Sequence, residues 1–260
     1  MVLEKFASNA VAILEDDAEI SGLAAAGSWI TNELDEFSVL DLIVVTKHKI
    51  TDNKANMLAY AAKFGNLLNG FIGEHVGEPR VLICLYDDPL LHVDLKFVTL
   101  EEFKIRIETP IILLDKELQL QNAIIDSQAV FPYPDYQWIE DRFWIWIHYA
   151  LLKIGRGEYF EALDFFGFLR MVVLGPLLHI KNKNLPRGLR KVETQLEHKD
   201  LQDLKNTVGK LDRESLISVI ENVISLYLDL RTAIYPTAII QQSNTEKAVV
   251  TYLAHIKAKS

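Results

Sequence analysis

Two aspartates in apolar surroundings are the residues whose chemistry stands out in this chain of 260 residues. Asp41 interrupts the β-branched run VLDLIVVT, and Asp94 interrupts the run LHVDLKFV. A buried carboxylate is costly unless it is paired, hydrogen-bonded or bound to a metal. Two of them on separate strands of one small sheet therefore indicate a shared site. The alternative is that both are structural edge-strand aspartates, satisfied by Lys96, Arg80 or water.

The elements that must position these aspartates form a first half in which helices and strands alternate. Alternation along the first strand puts Asp41 on the same face as Val39 and Ile43. The pattern predicts strands over 39–46, 80–85, 91–98 and 110–114, and helices over 1–17, 55–68 and 116–127.

The second half reads as helices throughout. The apolar periodicity predicts helices over 135–154, 158–181, 201–210, 214–232 and 246–257. Two prolines in Phe131-Pro132-Tyr133-Pro134 indicate a linker between the halves. We therefore expect an α+β class: a mixed sheet with flanking helices over residues 1–130, followed by an all-helical bundle over residues 131–260.

The charge divides at the same place. The chain has a net charge of −9, of which the first 130 residues carry −11 (10 basic, 21 acidic) and the rest +2 (17 basic, 15 acidic). An acidic chain is not expected to bind nucleic acid or an anionic membrane surface, because both need a surplus of Lys and Arg. The single Cys84 excludes a disulfide framework and a thiolate metal cluster. With no signal peptide and no uninterrupted apolar run of about 18 residues, we expect a cytoplasmic protein without a membrane span.

The stretch from Gly27-Ser28-Trp29 through Ser38-Val39-Leu40-Asp41 resembles a known motif in spacing and flanking residues. A Gly-Ser turn, a Ser-Asp-x-Asp strand and a third carboxylate on a later strand are typical of the nucleotidyltransferase superfamily. Asp94 is similar to that third carboxylate. The superfamily includes small-molecule enzymes such as the aminoglycoside and lincosamide nucleotidyltransferases, which also carry a C-terminal helical domain.

This resemblance implies a reaction: transfer of a nucleoside monophosphate from an NTP to the hydroxyl of a small molecule, antibiotic-like or aminosugar-like. It implies Mg²⁺ held by Asp41 and Asp94, with Asp94 as an alternative proton acceptor. The residues expected to meet the nucleotide are Gly27, Ser28, Ser38, Lys153 and Arg156. The two cations among them lie beside a glycine break in the helical half, where a solvated helix end is an equally good explanation.

The chain departs from the motif at the first metal carboxylate, where Val39 stands, and Asn32 replaces a glycine in the turn. Valine has no ligand atom, so the resemblance supports the fold and leaves the activity open. The alternative is a catalytically inactive relative that acts as a nucleotide-binding or interaction module. A third reading makes both aspartates structural and the protein an oligomeric scaffold. The aromatic residues of the helical half fit a bundle core or the interface of a homodimer.

Overall fold

The computed structural model describes residues 1–258 and divides into two compact units. One covers Met1–Phe131 and the other begins at Pro132. The α+β class is confirmed, because all six strands of the described residues lie in the first unit and the second is helical. The assignment of the first unit as a nucleotidyltransferase-like domain stays a prediction.

The first unit is built on one mixed sheet with the strand order β3-β4-β5-β2-β1-β6. The only parallel pair in it is β2 with β5. The strands are β1 (Ile20–Ala25), β2 (Leu40–Thr46), β3 (Asn66–Gly73), β4 (Glu78–Asp87), β5 (Leu91–Thr99) and β6 (Ile111–Asp115). The helices are α1 (Val2–Glu15), α2 (Lys54–Lys63), α3 (Leu100–Lys104) and α4 (Gln119–Ile125).

Alternation along β2 sends its side chains to two different cores. Leu40, Leu42 and Val44 pack with α1 and α2 on one face of the sheet. Val45 packs on the other face with α3 and α4, which cover the far end of the strand. Asp41 lies at the beginning of β2, and it is half-buried.

The sequence predictions for the first unit need correction at three places, the first being strand β1, which was not predicted. The helix predicted over 55–68 ends at Lys63, and residues 66–73 form strand β3 instead. The short helix α3 was not predicted. It begins with a capping box, in which the Thr99 hydroxyl accepts from the Glu102 amide and the Glu102 carboxylate accepts from the Thr99 amide.

The second unit has a single apolar core shared by its long helices. Its helices are α5 (Tyr136–Arg156), α6 (Tyr159–Leu169), α7 (Gly175–Lys181), α8 (Val192–Gln195), α9 (His198–Lys205), α10 (Arg213–Ile234) and α11 (Ser243–Ala258). The helix predicted over 158–181 is interrupted by a π-helical turn at Arg170–Leu174. The break predicted at residues 155–157 falls later, because α5 continues to Arg156 and ends at Gly157 with φ +77°.

A buried carboxylate fastens α5 to α10. The Glu140 side chain is fully buried. It accepts hydrogen bonds from the Tyr227 hydroxyl at 2.5 Å, the Arg231 guanidinium at 3.1 Å and the backbone N–H of Gln242 at 3.0 Å. Arg231 also binds Glu246 at 2.9 Å. Every oxygen of this carboxylate therefore has a partner, as a buried charge requires.

Within residues 1–258, one helical stretch, Tyr159–Lys181, is long and apolar enough to cross a membrane. Half of its most apolar window is buried inside the structure.

Candidate functional site

Asp41 and Asp94 lie directly opposite each other. β2 and β5 are neighbouring interior strands, and their parallel register pairs Asp41 with Asp94. Paired positions on adjacent strands are about 4.8 Å apart and point to the same face of the sheet. The edge-strand alternative does not describe this geometry. Lys96 and Arg80, the cations it invoked, both bind Glu78 at 2.7 Å.

The turn after β1 is built against the Asp41 carboxylate. Gly27 begins a 3-10 turn, Gly27–Trp29, with a left-handed φ of +59°. A Cβ atom at this position would lie 2.0 Å from Asp41 Oδ2. The Ala26 amide also donates to the Asp41 carbonyl oxygen at 2.9 Å. Glycine is therefore required here twice, by the backbone conformation and by the contact with the carboxylate.

His92 belongs to the same cluster and was missed in the sequence. It precedes Asp94 by two residues on β5, so both side chains lie on one face. His92 Nε2 lies 3.1 Å from Asp94 Oδ1. The period-2 spacing of these two polar residues in an apolar strand was the signal that could have found it.

The Asp94 carboxylate differs from an exposed aspartate in its electrostatics. Burial raises the pKa of Asp94, and the neighbouring His92 lowers it only in part. Where two carboxylates on adjacent strands are both ionised, a proton or a bound cation relieves their repulsion.

The number of carboxylate ligands limits how many metal ions this site could hold. Residues 1–258 contain no group of three or more His, Cys, Asp or Glu side chains arranged for a metal ion. Val39 lies two residues before Asp41, just ahead of β2, and supplies no ligand atom. Mg²⁺ is commonly held by one or two carboxylates, with phosphate oxygens of the substrate and waters completing the shell. By number of ligands, Asp41 and Asp94 would suffice for one such ion and would be too few for a pair of ions.

Ser38 stabilises the loop before β2 through hydrogen bonds with Asp35. Its hydroxyl donates to Asp35 Oδ1 at 2.9 Å and accepts from the Asp35 amide at 3.0 Å. Asp35 Oδ1 also accepts from the Phe37 amide at 2.9 Å. Asp35 is thus committed to this turn, where it does not replace the carboxylate missing at Val39. The nucleotide contact predicted for Ser38 would have to form at the expense of these bonds.

Lys153 and Arg156 lie at the C-terminal end of α5 in the second unit. Lys153 Nζ binds Glu158 and Glu161, each at 2.9 Å, and Arg156 lies 3.8 Å from Glu158. Both cations therefore have carboxylate partners from the start of the next helix. Their predicted role at a phosphate stays a prediction, and a phosphate would compete with these glutamates.

No protein-family model matches the sequence, and no curated protein matches it either. Several solved structures are similar to the chain. An aminoglycoside 6-adenyltransferase from Bacillus subtilis aligns with 98% of this chain and 97% of its own, at 16% identity and a TM-score of 0.40. A nucleotidyltransferase-like protein from Exiguobacterium sibiricum 255-15 aligns with 98% and 89%, at 11% identity and a TM-score of 0.36. At these identities the likeness concerns the fold alone.

Proposed function

We propose that this chain binds a nucleoside triphosphate together with one Mg²⁺ at Asp41 and Asp94, as a nucleotidyltransferase-like protein. The observation that carries the proposal is the register pair Asp41–Asp94, with the Gly27 turn packed against the Asp41 carboxylate. Two carboxylates that face each other beside a tight backbone turn are suited to a cation that carries phosphates.

The reaction proposed is transfer of a nucleoside monophosphate to a small-molecule hydroxyl. When bound, the ion neutralises charge on the triphosphate and on the departing pyrophosphate. Asp41 would hold it, and the Gly27-Ser28 turn would present backbone N–H groups to the phosphates. Asp94, oriented by His92, shares the ion or takes the proton of the attacking hydroxyl.

Val39 makes this transfer slow. With two carboxylates instead of three, the site holds one ion and leaves part of the developing charge without a partner. Removing one preorganised electrostatic group from an active site costs about 100-fold or more in rate. A surplus of acidic side chains in the first unit suits a cationic acceptor, such as an aminosugar, and disfavours nucleic acid.

The second candidate is a nucleotide-binding module without catalysis. The same Val39 and the two-carboxylate ligand set favour it, because binding a nucleotide through one ion requires fewer charged ligands than transferring its nucleoside monophosphate. The two candidates agree on the binding site and differ in turnover. A cytoplasmic location and a homodimer are proposed for both on the grounds of sequence alone.

The test begins with binding. Isothermal titration of the full chain with each of the four common NTPs, with and without Mg²⁺, should give saturable binding that depends on Mg²⁺. Asp41→Asn should abolish the Mg²⁺-dependent part. Asp52→Asn is the matched control, because it removes the same charge from an exposed position, 77% accessible, in the same unit. If no NTP binds at millimolar concentration with or without Mg²⁺, or if Asp41→Asn binds like the parent, the proposal is wrong.

Val39→Asp then separates the two candidates. Pyrophosphate release is measured with an NTP and a panel of aminosugar acceptors. An increase of about 100-fold over the parent identifies a weakened enzyme. Unchanged nucleotide binding with no turnover in either protein identifies the binding module.

A further inference from the structure

A groove lined by aromatic rings runs between α5 and α6 in the second unit. It is a shallow, open groove with a volume of about 360 Å³, within the usual range for small-molecule sites. Its lining comes from one face of each helix: Trp146, Tyr149, Glu161, Asp164, Phe165 and Phe168. We call this feature the aromatic groove. It lies in the second unit, whereas the carboxylates of the proposed nucleotide site lie in the first.

The rings of the aromatic groove hold one another in place. Tyr149 and Phe165 have centroids 5.0 Å apart, and Phe165 stacks on Phe168 at 5.5 Å. Trp146 meets Phe168 edge-on at 5.3 Å. Tyr149 and Phe168 remain 37% and 39% exposed. A ligand therefore meets accessible aromatic surface that is already ordered, which lowers the entropic cost of binding.

One wall of the aromatic groove already holds an ammonium group. Lys153 Nζ lies 5.0 Å from the centroid of the Tyr149 ring and 2.9 Å from Glu161 Oε1. The Tyr149 hydroxyl donates to the same Glu161 carboxylate. This internal contact shows the combination that a cation meets here: an aromatic face and a carboxylate side by side.

Asp164 supplies a second carboxylate, which is not paired with another side chain of the described residues. It lines the aromatic groove, and it has no hydrogen-bond or ion-pair partner within residues 1–258. An acidic group beside an aromatic surface is complementary to a ligand that is both apolar and positively charged.

We propose that the aromatic groove binds an alkylated ammonium compound, a small organic cation with methyl or larger groups on its nitrogen. Ring faces attract such a cation electrostatically and bury its alkyl groups. A metal ion or a bare ammonium would need oxygen ligands or hydrogen bonds on all sides, which rings do not provide. Asp164 balances the positive charge of the ligand, because Glu161 is already paired with Lys153.

The probes are choline and its neutral carbon isostere, 3,3-dimethylbutan-1-ol, which differ essentially in charge. Titration of the full chain, followed by intrinsic tryptophan fluorescence and by calorimetry, should give saturable choline binding with a dissociation constant on the order of 1 mM. The isostere should bind at least about fivefold more weakly.

Two variants keep the fold and change the aromatic groove. Asp164→Asn should weaken choline binding about two- to fivefold and leave the isostere unaffected. Phe168→Leu keeps an apolar side chain without a ring, and it should weaken choline binding about threefold. Asp203→Asn, a carboxylate on α9 that pairs with Lys199, controls for net charge. Asp41→Asn should bind choline like the parent, so a failure of the proposed nucleotide site leaves this result intact.

Three outcomes would overturn the proposal. Equal affinity for the two probes would mean that the aromatic groove recognises apolar shape and not charge. No choline binding at tens of millimolar would mean that it recognises neither. A dimer in sedimentation velocity that Phe168→Glu dissociates would mean that a second copy of the chain occupies the surface.

Discussion

Replacing Gly27 by alanine tests whether the turn after β1 holds the Asp41 carboxylate in place. The new Cβ atom would stand 2.0 Å from Asp41 Oδ2 and 3.0 Å from its Cγ, so the carboxylate must move. The left-handed φ of +59° adds a backbone cost of about 1 kcal/mol for a residue with a Cβ atom. Driving Asp41 off its rotamer costs about another 0.5–1.5 kcal/mol.

Gly77→Ala is the matched control for this experiment. Gly77 lies in the same unit with φ +79°, and a Cβ atom there would meet nothing within 4 Å. Gly77→Ala should therefore lose only the backbone term, about 1 kcal/mol. The difference between the two variants isolates the displacement of the carboxylate.

Amide hydrogen exchange of β1 and β2, read by mass spectrometry, measures the local loss of stability in both variants. Calorimetry with Mg²⁺ and an NTP measures the consequence for the site. Gly27→Ala should bind at least about tenfold more weakly, since the ion loses one of two carboxylate ligands, while Gly77→Ala binds like the parent. Equal exchange in the two variants together with unchanged nucleotide binding in Gly27→Ala would refute the reasoning.

Three further substitutions test the electrostatics described above, each by urea unfolding. Asp94→Asn should raise the free energy of unfolding at pH 7, because burial raises the pKa of Asp94 and disfavours its ionised form in the fold. The gain should shrink as the pH falls through the raised pKa of Asp94 and should be gone below 3.8, the ordinary pKa of an aspartate, where the carboxyl is protonated in both the folded and the unfolded chain. Burial would raise the pKa of Glu78, but its two cationic partners lower it to about 2. Glu78→Gln should therefore lose stability above pH 4.5, the ordinary pKa of the residue, and match the parent again near pH 2. Glu140→Ala should lose about 3–5 kcal/mol because it strips a buried ion pair of one partner. Glu246→Ala, the 26% exposed partner of the same Arg231, should lose less. An Asp94→Asn protein less stable than the parent at pH 7, a pH-independent loss in Glu78→Gln, or equal losses at 140 and 246 would each contradict the corresponding argument.

The strands that carry the two aspartates could be predicted because their composition is decisive. The run predicted over 39–46 is β2, and the run over 91–98 is β5, each displaced by one residue at one end. β-branched and aromatic residues in period-2 alternation fit few other structures. That the strands are neighbours in register is a property of the sheet, and local patterns carry no information about it.

β3 shows where local reasoning failed. Leu67 and Leu68 continue the apolar spacing of α2, and the strand contains two glycines that lower its intrinsic preference. Its pairing with β4 along most of its length decides the outcome. The capping box at the start of α3, by contrast, could have been recognised in the sequence, because Thr99 is followed three residues later by Glu102.

The predicted nucleotide contacts met competition that only three-dimensional structure reveals. Lys153 was assigned from its place beside a glycine break, yet two glutamates of the following turn of chain bind it. Charge counting along a sequence treats these residues as available. An ion pair with a residue a few positions away makes a cation less available to a phosphate, and such a pair produces no periodic pattern in the sequence.

The parallel pairing of β2 with β5 has a consequence for how the first unit is made. A parallel partner cannot be reached by a hairpin, so the intervening chain, with α2 and the β3–β4 hairpin, forms the crossover between the two strands. Contacts between residues so far apart in sequence form slowly, because the intervening loop must first lose conformational entropy. During synthesis, Asp41 emerges from the ribosome long before its partner exists. Magnesium-dependent nucleotide binding would therefore appear only in chains that have completed the sheet, and it would serve as a reporter of correctly finished folding.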